Sequence, residues 1–170
     1  MDTVRTSMRK AAFTRPANTT NYTAKDAMGK GSAALDCVME FPPPLPSCGR
    51  TGLIKTARLW KSGTGVTGDT FRLLLFQDTP SQDPDDNGAP TTSFIKEADA
   101  GIYIGQIDFE SAEVGADAIH YEGQDYVPSD GIPFQAQDRH GRIFGILTAL
   151  GAYNPASAEV FTVTLEIQES

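Results

Sequence analysis

The sequence has few of the residues from which catalytic and metal sites are usually built. Its 170 residues include only two cysteines, Cys37 and Cys48, and two histidines, His120 and His140. Two cysteines are too few for a disulfide framework and cannot make a zinc site alone, and neither histidine has a recognisable ligand spacing. We therefore expect free thiols in a reducing cytoplasm, and histidines that lie in a strand and in a turn.

Long apolar runs and an excess of basic residues are also lacking. No stretch of 18 apolar residues occurs, and the first residues lack the apolar segment of a secretory signal, so we expect a soluble protein made in the cytoplasm. The 14 basic and 22 acidic side chains give a net charge of −8, which repels phosphate backbones and anionic lipids. Nucleic acid and membranes are not expected partners.

Turn-forming residues and apolar residues are both plentiful, which favours β structure. There are 16 glycines and 11 prolines, and 39% of the residues are hydrophobic. The largest apolar mass lies between Leu53 and Gln77, where two strand-like arms, 53–61 and 70–77, flank a glycine-rich stretch. This pattern predicts a β-hairpin, and the second arm, apolar on both faces, predicts a central strand.

Further strands are predicted to the end of the chain. Residues 142–150 are nearly all apolar, and in the last segment Phe161, Val163, Leu165 and Ile167 alternate with polar residues. Seven to nine strands separated by turns predict an all-β fold, an antiparallel β-sandwich with a jelly-roll-like arrangement. We expect one sandwich domain over residues 13–170 and an extended N-terminal arm over residues 1–12.

Two stretches are similar to a known group of proteins. The run FTRPANTTNYTAKDAMG, from Phe13 to Gly29, resembles the opening of small structural proteins of tailed-bacteriophage particles, in which an Arg-Pro-Ala-like tripeptide precedes a Thr/Asn-rich turn and a Tyr-Thr-Ala-like strand. In that group, a Gly-x-Ile-x-x-Ala-Arg-Leu-like strand, a Phe-Arg-Leu-x-Leu-Phe-like strand and a Pro- and Asp-rich loop follow. The corresponding residues here are Gly52, Ile54, Ala57, Arg58 and Leu59, then Phe71, Arg72, Leu73, Leu75 and Phe76, then 83–90.

The resemblance implies a capsid decoration, or cement, protein on the outer surface of the virion. Such a protein binds the major capsid protein, bridges its subunits and associates with itself as a dimer or trimer. The matching motifs imply no catalytic residue and no cofactor. We expect the arm and the loops to make the capsid and subunit contacts, through Arg5, Arg9, Lys10, Arg15, Asp85 and Asp86.

The loop from Asp78 to Pro90 is long and rich in carboxylates. The alternate spacing of Asp83, Asp85 and Asn87 resembles a calcium-binding loop, but the glycine comes too late and no bidentate Glu follows at the required distance. The sequence favours a solvated turn over a metal site, and a contact with a neighbouring subunit stays open.

Two other functions are alternatives to the structural role. A carbohydrate- or receptor-binding sandwich on a tail or surface fibre would use Trp60, the sole tryptophan, as a stacking platform. We expect Trp60 instead to pack against the sandwich, because large aromatic residues dominate cores. A hydrolase based on loop carboxylates is less favoured, since the sequence contains no nucleophile elbow, phosphate loop or dinucleotide fingerprint.

Overall fold

The computed structural model describes the chain as almost entirely β. It describes residues 5–31, 33, 35–42, 51–63, 70–81, 85–88, 97–109, 112–114, 119–122, 131–137 and 140–169. Within these ranges eleven strands form two antiparallel sheets, and the helical content is one 3-10 turn at Glu97–Asp99. The prediction of an all-β antiparallel sandwich is confirmed. The proline run 43–46 and the glycine-rich stretch 64–69 lie outside the described residues.

The first sheet has six strands and contains both the first and the last strand described. Its order is β1–β11–β4–β8–β7, and β9 pairs with the start of β4. The bounds are β1 Arg5–Thr14, β4 Thr51–Lys61, β7 Ala112–Val114, β8 Ile119–Glu122, β9 Ile132–Gln135 and β11 Val160–Glu169.

The second sheet has five strands in the order β2–β10–β5–β6, with β3 pairing alongside β2 on the same edge of β10. The bounds are β2 Ala27–Met28, β3 Val38–Phe41, β5 Phe71–Phe76, β6 Tyr103–Phe109 and β10 Ile143–Ala149.

The strand pairs are nested in the manner of a jelly roll. The pair β5·β6 is the innermost in sequence order. It is flanked in the sequence by the pair β4·β8, then by the pairing of β10 with β2 and β3, and finally by the pair β1·β11. Successive pairs alternate between the sheets, so the chain behaves as a long folded ribbon wrapped into a sandwich. This order agrees with the jelly-roll-like arrangement expected from the sequence.

The core lies between the two sheets, where period-2 alternation along the long strands directs one set of side chains inward. β11 contributes the four alternating residues named above, all fully buried. β5 is buried on both faces, since Phe71, Leu73 and Leu75 face the first sheet while Leu74 and Phe76 join a second apolar cluster. The predicted central strand is therefore present.

The hairpin prediction is wrong in its pairing although both strands exist. β4 pairs with β11, β8 and β9 in the first sheet, whereas β5 pairs with β10 and β6 in the second. The connection between them therefore crosses from one sheet to the other. An apolar pattern specifies that each strand is buried but not which strand lies beside it, and an eight-residue connection does not impose a tight turn.

The N-terminal segment also differs from the expectation. Residues 5–12, predicted as an arm outside the sandwich, belong to β1, which pairs with β11 in register from Arg5 opposite Glu169 to Thr14 opposite Val160. Ala11 and Phe13 enter the core, and Phe13 stacks on Phe161 at 5.4 Å between ring centroids. The pairing of β1 with β11 satisfies the backbone hydrogen-bonding groups of this segment, although its side chains alone gave little indication that it belongs to the fold.

Candidate functional site

Among the described residues, those that the sequence offered for catalysis or metal binding are not gathered into one chemical centre. His120 lies in β8 and His140 in an exposed turn, as expected. Asp83 is outside the described residues. Within the described ranges, no group of three or more His, Cys, Asp or Glu residues is arranged to hold a metal ion, and no helix is long and apolar enough to cross a bilayer.

The described part of the acidic loop is a turn clamped against β2. The backbone of Asn87 donates to Ala27 O at 2.9 Å, Ala27 donates back to Gly88 O at 3.0 Å, and Asp86 donates to Gly31 O at 2.9 Å. Asn87 has a φ of 63°. With its side-chain amide oriented so that both the oxygen and the nitrogen have hydrogen-bond partners, the nitrogen donates to Asp26 at 3.2 Å. Asp85 is exposed. Asn87 is thus used in holding the turn, which leaves Asp85 as the solvated carboxylate.

Asp86 is the inner end of a buried polar network. Its Oδ1 accepts hydrogen bonds from the Tyr22 hydroxyl at 2.5 Å and from Gly29 N at 3.0 Å, and its Oδ2 lies 3.8 Å from the Arg15 guanidinium. Arg15 is 2% exposed, donates through Nε to the Tyr22 hydroxyl and lies over the Tyr22 ring at 4.6 Å. Burial, followed by the hydrogen bond to Asp86, raises the pKa of Tyr22 well above its usual range.

This network explains why the FTRPANTTNYTAKDAMG run has its polar residues. Besides Arg15 and Tyr22, Asn18 accepts from the guanidinium at 3.3 Å, and Asp26 accepts from Thr23 N at 2.5 Å to close a turn. The run that carries the resemblance and the described residues of the acidic loop are therefore held together by one internal network of hydrogen bonds and an ion pair. Arg15 and Asp86, expected as contact residues, have their charged groups directed into the fold.

A second buried polar cluster lies beside the first. Lys61 on β4 and Glu159, just before β11, are each 1% exposed, and Lys61 Nζ lies 3.6 Å from Glu159 Oε1. The Tyr153 hydroxyl accepts from Nζ at 3.2 Å and donates to Glu159 Oε2. Tyr153 also stacks on Tyr22 at 6.0 Å, which joins the two clusters.

Sequence reasoning missed Lys61, Tyr153 and Glu159, although a signal for Lys61 was present. Lys61 shares strand parity with Ala57 and Leu59, so alternation counted from these two residues directs it inward, although alternation counted from Ile54 would direct it outward. Nothing in the sequence indicated which carboxylate would meet it, because Glu159 comes from a segment 98 residues further along.

The outer face of the six-stranded sheet is the most conspicuous open surface. We define the Trp60 face as the outward residues of β1, β11 and β4: Thr6, Met8, Lys10, Ala12, Thr14, Val160, Thr162, Thr164, Glu166, Gln168, Thr56, Arg58 and Trp60. Cross-strand pairs order them in rows, so that Lys10, Thr164 and Arg58 form one row and Ala12, Thr162 and Trp60 the next. In the backbone register of β8, Glu122 lies opposite Arg58 and His120 opposite Trp60.

Exposed apolar side chains concentrate on the Trp60 face. Of the four large hydrophobic residues that are exposed among those described, Met8 (48%), Trp60 (43%) and Val160 (37%) lie on it, and Leu35 (43%) lies elsewhere. The expectation that Trp60 packs against the sandwich is therefore corrected. A register shift opposite Glu166 and Ile167 places both Ile54 and Ala57 inward, and from there alternation turns Leu59 and Lys61 in and Trp60 out.

The corresponding outer face of the five-stranded sheet is not open in this way. Leu74, Phe76, Phe144 and Ile146 are buried there in the second apolar cluster, together with Cys37. Among the described residues the sandwich is thus asymmetric, because one sheet is buried on both faces and the other carries exposed residues on its outer face. This asymmetry makes the Trp60 face a candidate surface for a partner.

An apolar hollow of about 620 Å³ lies at the other end of β4. Leu53, Pro133 and Phe134 are among its walls, and Gln77, Gln135 and Gln168 are among its polar groups. Amides can donate and accept hydrogen bonds, but they supply no base for a nucleophile. Glu169 also lines the hollow, and its carboxylate is engaged by the Ser7 hydroxyl at 2.7 Å and by Arg9 at 3.5 Å.

The basic residues proposed for contacts are divided by the strand geometry. Lys10 points outward on the Trp60 face, whereas Arg5 and Arg9 share the opposite parity of β1. Arg9 lies 3.5 Å from Glu169, a buried carboxylate that also accepts from the Ser7 hydroxyl at 2.7 Å. Arg5, Lys10 and Asp85 are the accessible members of the predicted contact set.

Comparisons with known proteins give only remote structural similarity. No protein-family profile and no curated protein sequence matches the chain. Among solved structures, a chain of Mud crab tombus-like virus is similar at 14% identity and a TM-score of 0.26, covering 100% of this chain and 84% of that one. A chain of Triatoma virus is similar at 11% identity and a TM-score of 0.25, covering 95% and 62%.

A chain of Mud Crab Dicistrovirus is similar at 12% identity and a TM-score of 0.22, covering 98% of this chain and 68% of that one. Similarity at this level does not establish a shared function. None of these three comes from a tailed bacteriophage, so the resemblance to phage virion proteins stays a prediction.

Proposed function

We propose that the protein is a non-enzymatic structural protein of a tailed-phage particle, a decoration protein that binds the outer capsid surface and bridges major capsid subunits. The observation that carries the proposal is the concentration of exposed Met8, Trp60 and Val160 on one open sheet face. Exposed large apolar residues that gather on one face, rather than scatter over the whole surface, mark an interaction surface. Tryptophan, methionine and arginine are the residues enriched where proteins meet.

The composition of the Trp60 face suits a protein partner. Lys10 and Arg58 lie in one row between Met8 and Trp60, so charged and apolar contacts alternate across the face. Threonine hydroxyls fill the positions between them and can pair with polar groups at the rim of an interface. We propose Trp60 as the anchor of this contact and Lys10 as its accessible charge, with Arg5 and Asp85, which are exposed but lie off the Trp60 face, as charges that contact a second capsid subunit.

The remaining polar groups support a structural role over a catalytic one. Arg15, Tyr22 and Asp86 hold one another inside the fold, and Lys61, Tyr153 and Glu159 do the same. These interactions make a rigid scaffold, which is what a protein that bridges subunits requires. A net charge of −8 suits a position on the outside of a shell, away from packaged DNA.

Co-sedimentation with shells of the parent phage that lack this protein tests the proposal. We expect saturable binding with a stoichiometry tied to the number of capsid subunits, and self-association as a dimer or trimer in solution. Trp60→Ala should weaken binding by about 30-fold, since interface anchors cost about 2 kcal/mol or more when truncated. Leu35→Ala is the matched control, because Leu35 is equally exposed but lies off the Trp60 face.

The exposure of Trp60 also favours a second candidate function, a carbohydrate-binding module. An open indole beside threonine hydroxyls can stack on a sugar ring while the hydroxyls bond to it. Glycan binding that Trp60→Ala abolishes and Trp60→Phe retains, without binding to shells, would replace the decoration role by this one.

A further inference from the structure

The Lys61, Tyr153 and Glu159 cluster has the arrangement of a bond-forming site. Lys61 carries an amine and Glu159 a carboxyl group, both are 1% exposed, and Nζ and Oε1 are 3.6 Å apart. Glu159 Oε1 has no hydrogen-bond partner among the residues that the structure describes, while Oε2 accepts from the Tyr153 hydroxyl. A buried carboxyl group with one oxygen free of hydrogen bonds, beside an amine, is open to attack at its carbon.

We propose that Lys61 and Glu159 condense to an intramolecular isopeptide bond that joins β4 to the segment preceding β11. This inference does not depend on the function proposed above. Its basis is that the fold holds a nucleophile, the Lys61 amine, next to an acyl group, the Glu159 carboxyl group, among buried aromatic side chains that we call the aromatic enclosure. Tyr153 and Phe161 form part of that enclosure, with ring centroids 6.2 Å apart.

The reaction proceeds from the neutral pair, in which one proton has moved from the ammonium to the carboxylate to give an amine and a carboxylic acid. Burial removes part of the water that would otherwise stabilise the two separate charges. The Tyr153 hydroxyl contacts both groups and offers a path for that proton. Confinement replaces a bimolecular encounter by an intramolecular one.

The reaction balances without any further reagent. The Nζ lone pair attacks Cδ of Glu159, and the tetrahedral intermediate expels one carboxyl oxygen as water, which takes two protons from the amine and the acid. An Nζ–Cδ amide remains, and nothing is oxidised or reduced. Tyr153 acts as a positioning residue that moves the proton, and the nucleophile is a desolvated lysine.

Gly63 leaves the space that the carboxyl group of Glu159 occupies. A Cβ at this position would lie 2.0 Å from Glu159 Oε1, so the absence of a side chain at residue 63 lets the carboxyl group lie beside the amine. The glycine also allows the carboxyl group to rotate as its carbon becomes tetrahedral. A larger side chain would displace the carboxyl group from the amine.

Intact-mass spectrometry of the purified, denatured full-length protein tests the proposal. We expect a mass lower than that of the sequence by one water, about 18 Da, with or without the first methionine. Trypsin should not cleave after Lys61, so peptide Leu59–Arg72 should appear joined to peptide Ile143–Ser170, which contains Glu159. A full sequence mass after a day at 37 °C, with native circular dichroism, would overturn the proposal.

Variants separate this bond from other losses of water. Lys61→Arg should show the full mass, whereas Lys55→Arg, on the same strand, should keep the loss. Glu159→Gln should lose ammonia, about 17 Da, in place of water, which tests the acyl group even if Lys61→Arg does not fold. Tyr153→Phe should slow the appearance of the cross-linked mass at least tenfold. Loss of water with normal cleavage after Lys61 would contradict the assignment.

Discussion

Neutralising Asp86 should cost far more stability than neutralising its neighbour Asp85. Asp86→Asn keeps an oxygen that can accept from Tyr22 and Gly29, so it removes the negative charge while preserving shape. The guanidinium of Arg15 then stays buried without the carboxylate that now lies 3.8 Å away. Asp85 is exposed and one residue away along the same turn.

The magnitude follows from the distance and the burial. Two unit charges 3.8 Å apart attract by about 4 kcal/mol at an effective dielectric constant of 20. Arg15 retains its hydrogen bonds to Asn18 and to Ala156 O at 3.4 Å, which offset part of the loss. We expect Asp86→Asn to lower the free energy of unfolding by about 3 kcal/mol, in the range found when buried ion pairs are broken.

Equilibrium urea unfolding of the two variants provides the measurement. Asp85→Asn should change the free energy of unfolding by less than about 0.5 kcal/mol, as ordinary surface substitutions do. Combining Asp86→Asn with Arg15→Met should cost less than the sum of the two single changes by about 1 kcal/mol or more. Equal effects of the two Asp→Asn changes, or additive effects of Arg15→Met and Asp86→Asn, would refute the internal ion pair.

Three further changes probe other parts of the fold. Leu73→Ala removes a fully buried side chain and should cost about 2–5 kcal/mol in unfolding experiments, because the rigid sandwich cannot close the cavity. Gly145→Ala should cost about 1–3 kcal/mol, since the added Cβ would lie 2.9 Å from Leu73 Cδ1 and 3.1 Å from Phe41; an unchanged midpoint would contradict this packing. The raised pKa of Tyr22 keeps its hydroxyl protonated in the native state above pH 10, where the unfolded chain ionises, so that stability falls as pH rises. The stability advantage of wild type over Tyr22→Phe should shrink by about 1.4 kcal/mol per pH unit above pH 10, and a constant difference would refute this linkage.

The strands were predictable where alternation was uninterrupted. β11 and β10 can be predicted from their apolar patterns. β11 is buried on one face and alternates apolar with polar residues, whereas β10 is buried on both faces and is nearly all apolar. The partners of β4 and β5 were not predictable, since strand pairing depends on tertiary contacts between distant segments. The same limit led to an arm being predicted where β1 completes a sheet.

The Trp60 face shows how one β-bulge can make a prediction from strand alternation wrong. Uninterrupted alternation from Ile54 would place Trp60 on the same side as Ile54, inside the core. The register shift in β4 reverses the parity, turning Trp60 outward and Lys61 inward. The buried roles of Arg15 and Asp86 were hidden for a related reason, because a charged residue is ordinarily taken to be solvated unless its partner is known.

The nested pairing of strands has a consequence for how the chain folds. The Ser7 hydroxyl meets Glu169 across 162 residues of sequence, and β11 lies between β1 and β4 in the sheet. Two early strands therefore pair with one that is synthesised much later, and closing such long loops before the strands make their contacts slows folding. We expect refolding from denaturant on a timescale of about milliseconds to seconds, and a growing chain that exposes unpaired strand edges until residue 169 has left the ribosome.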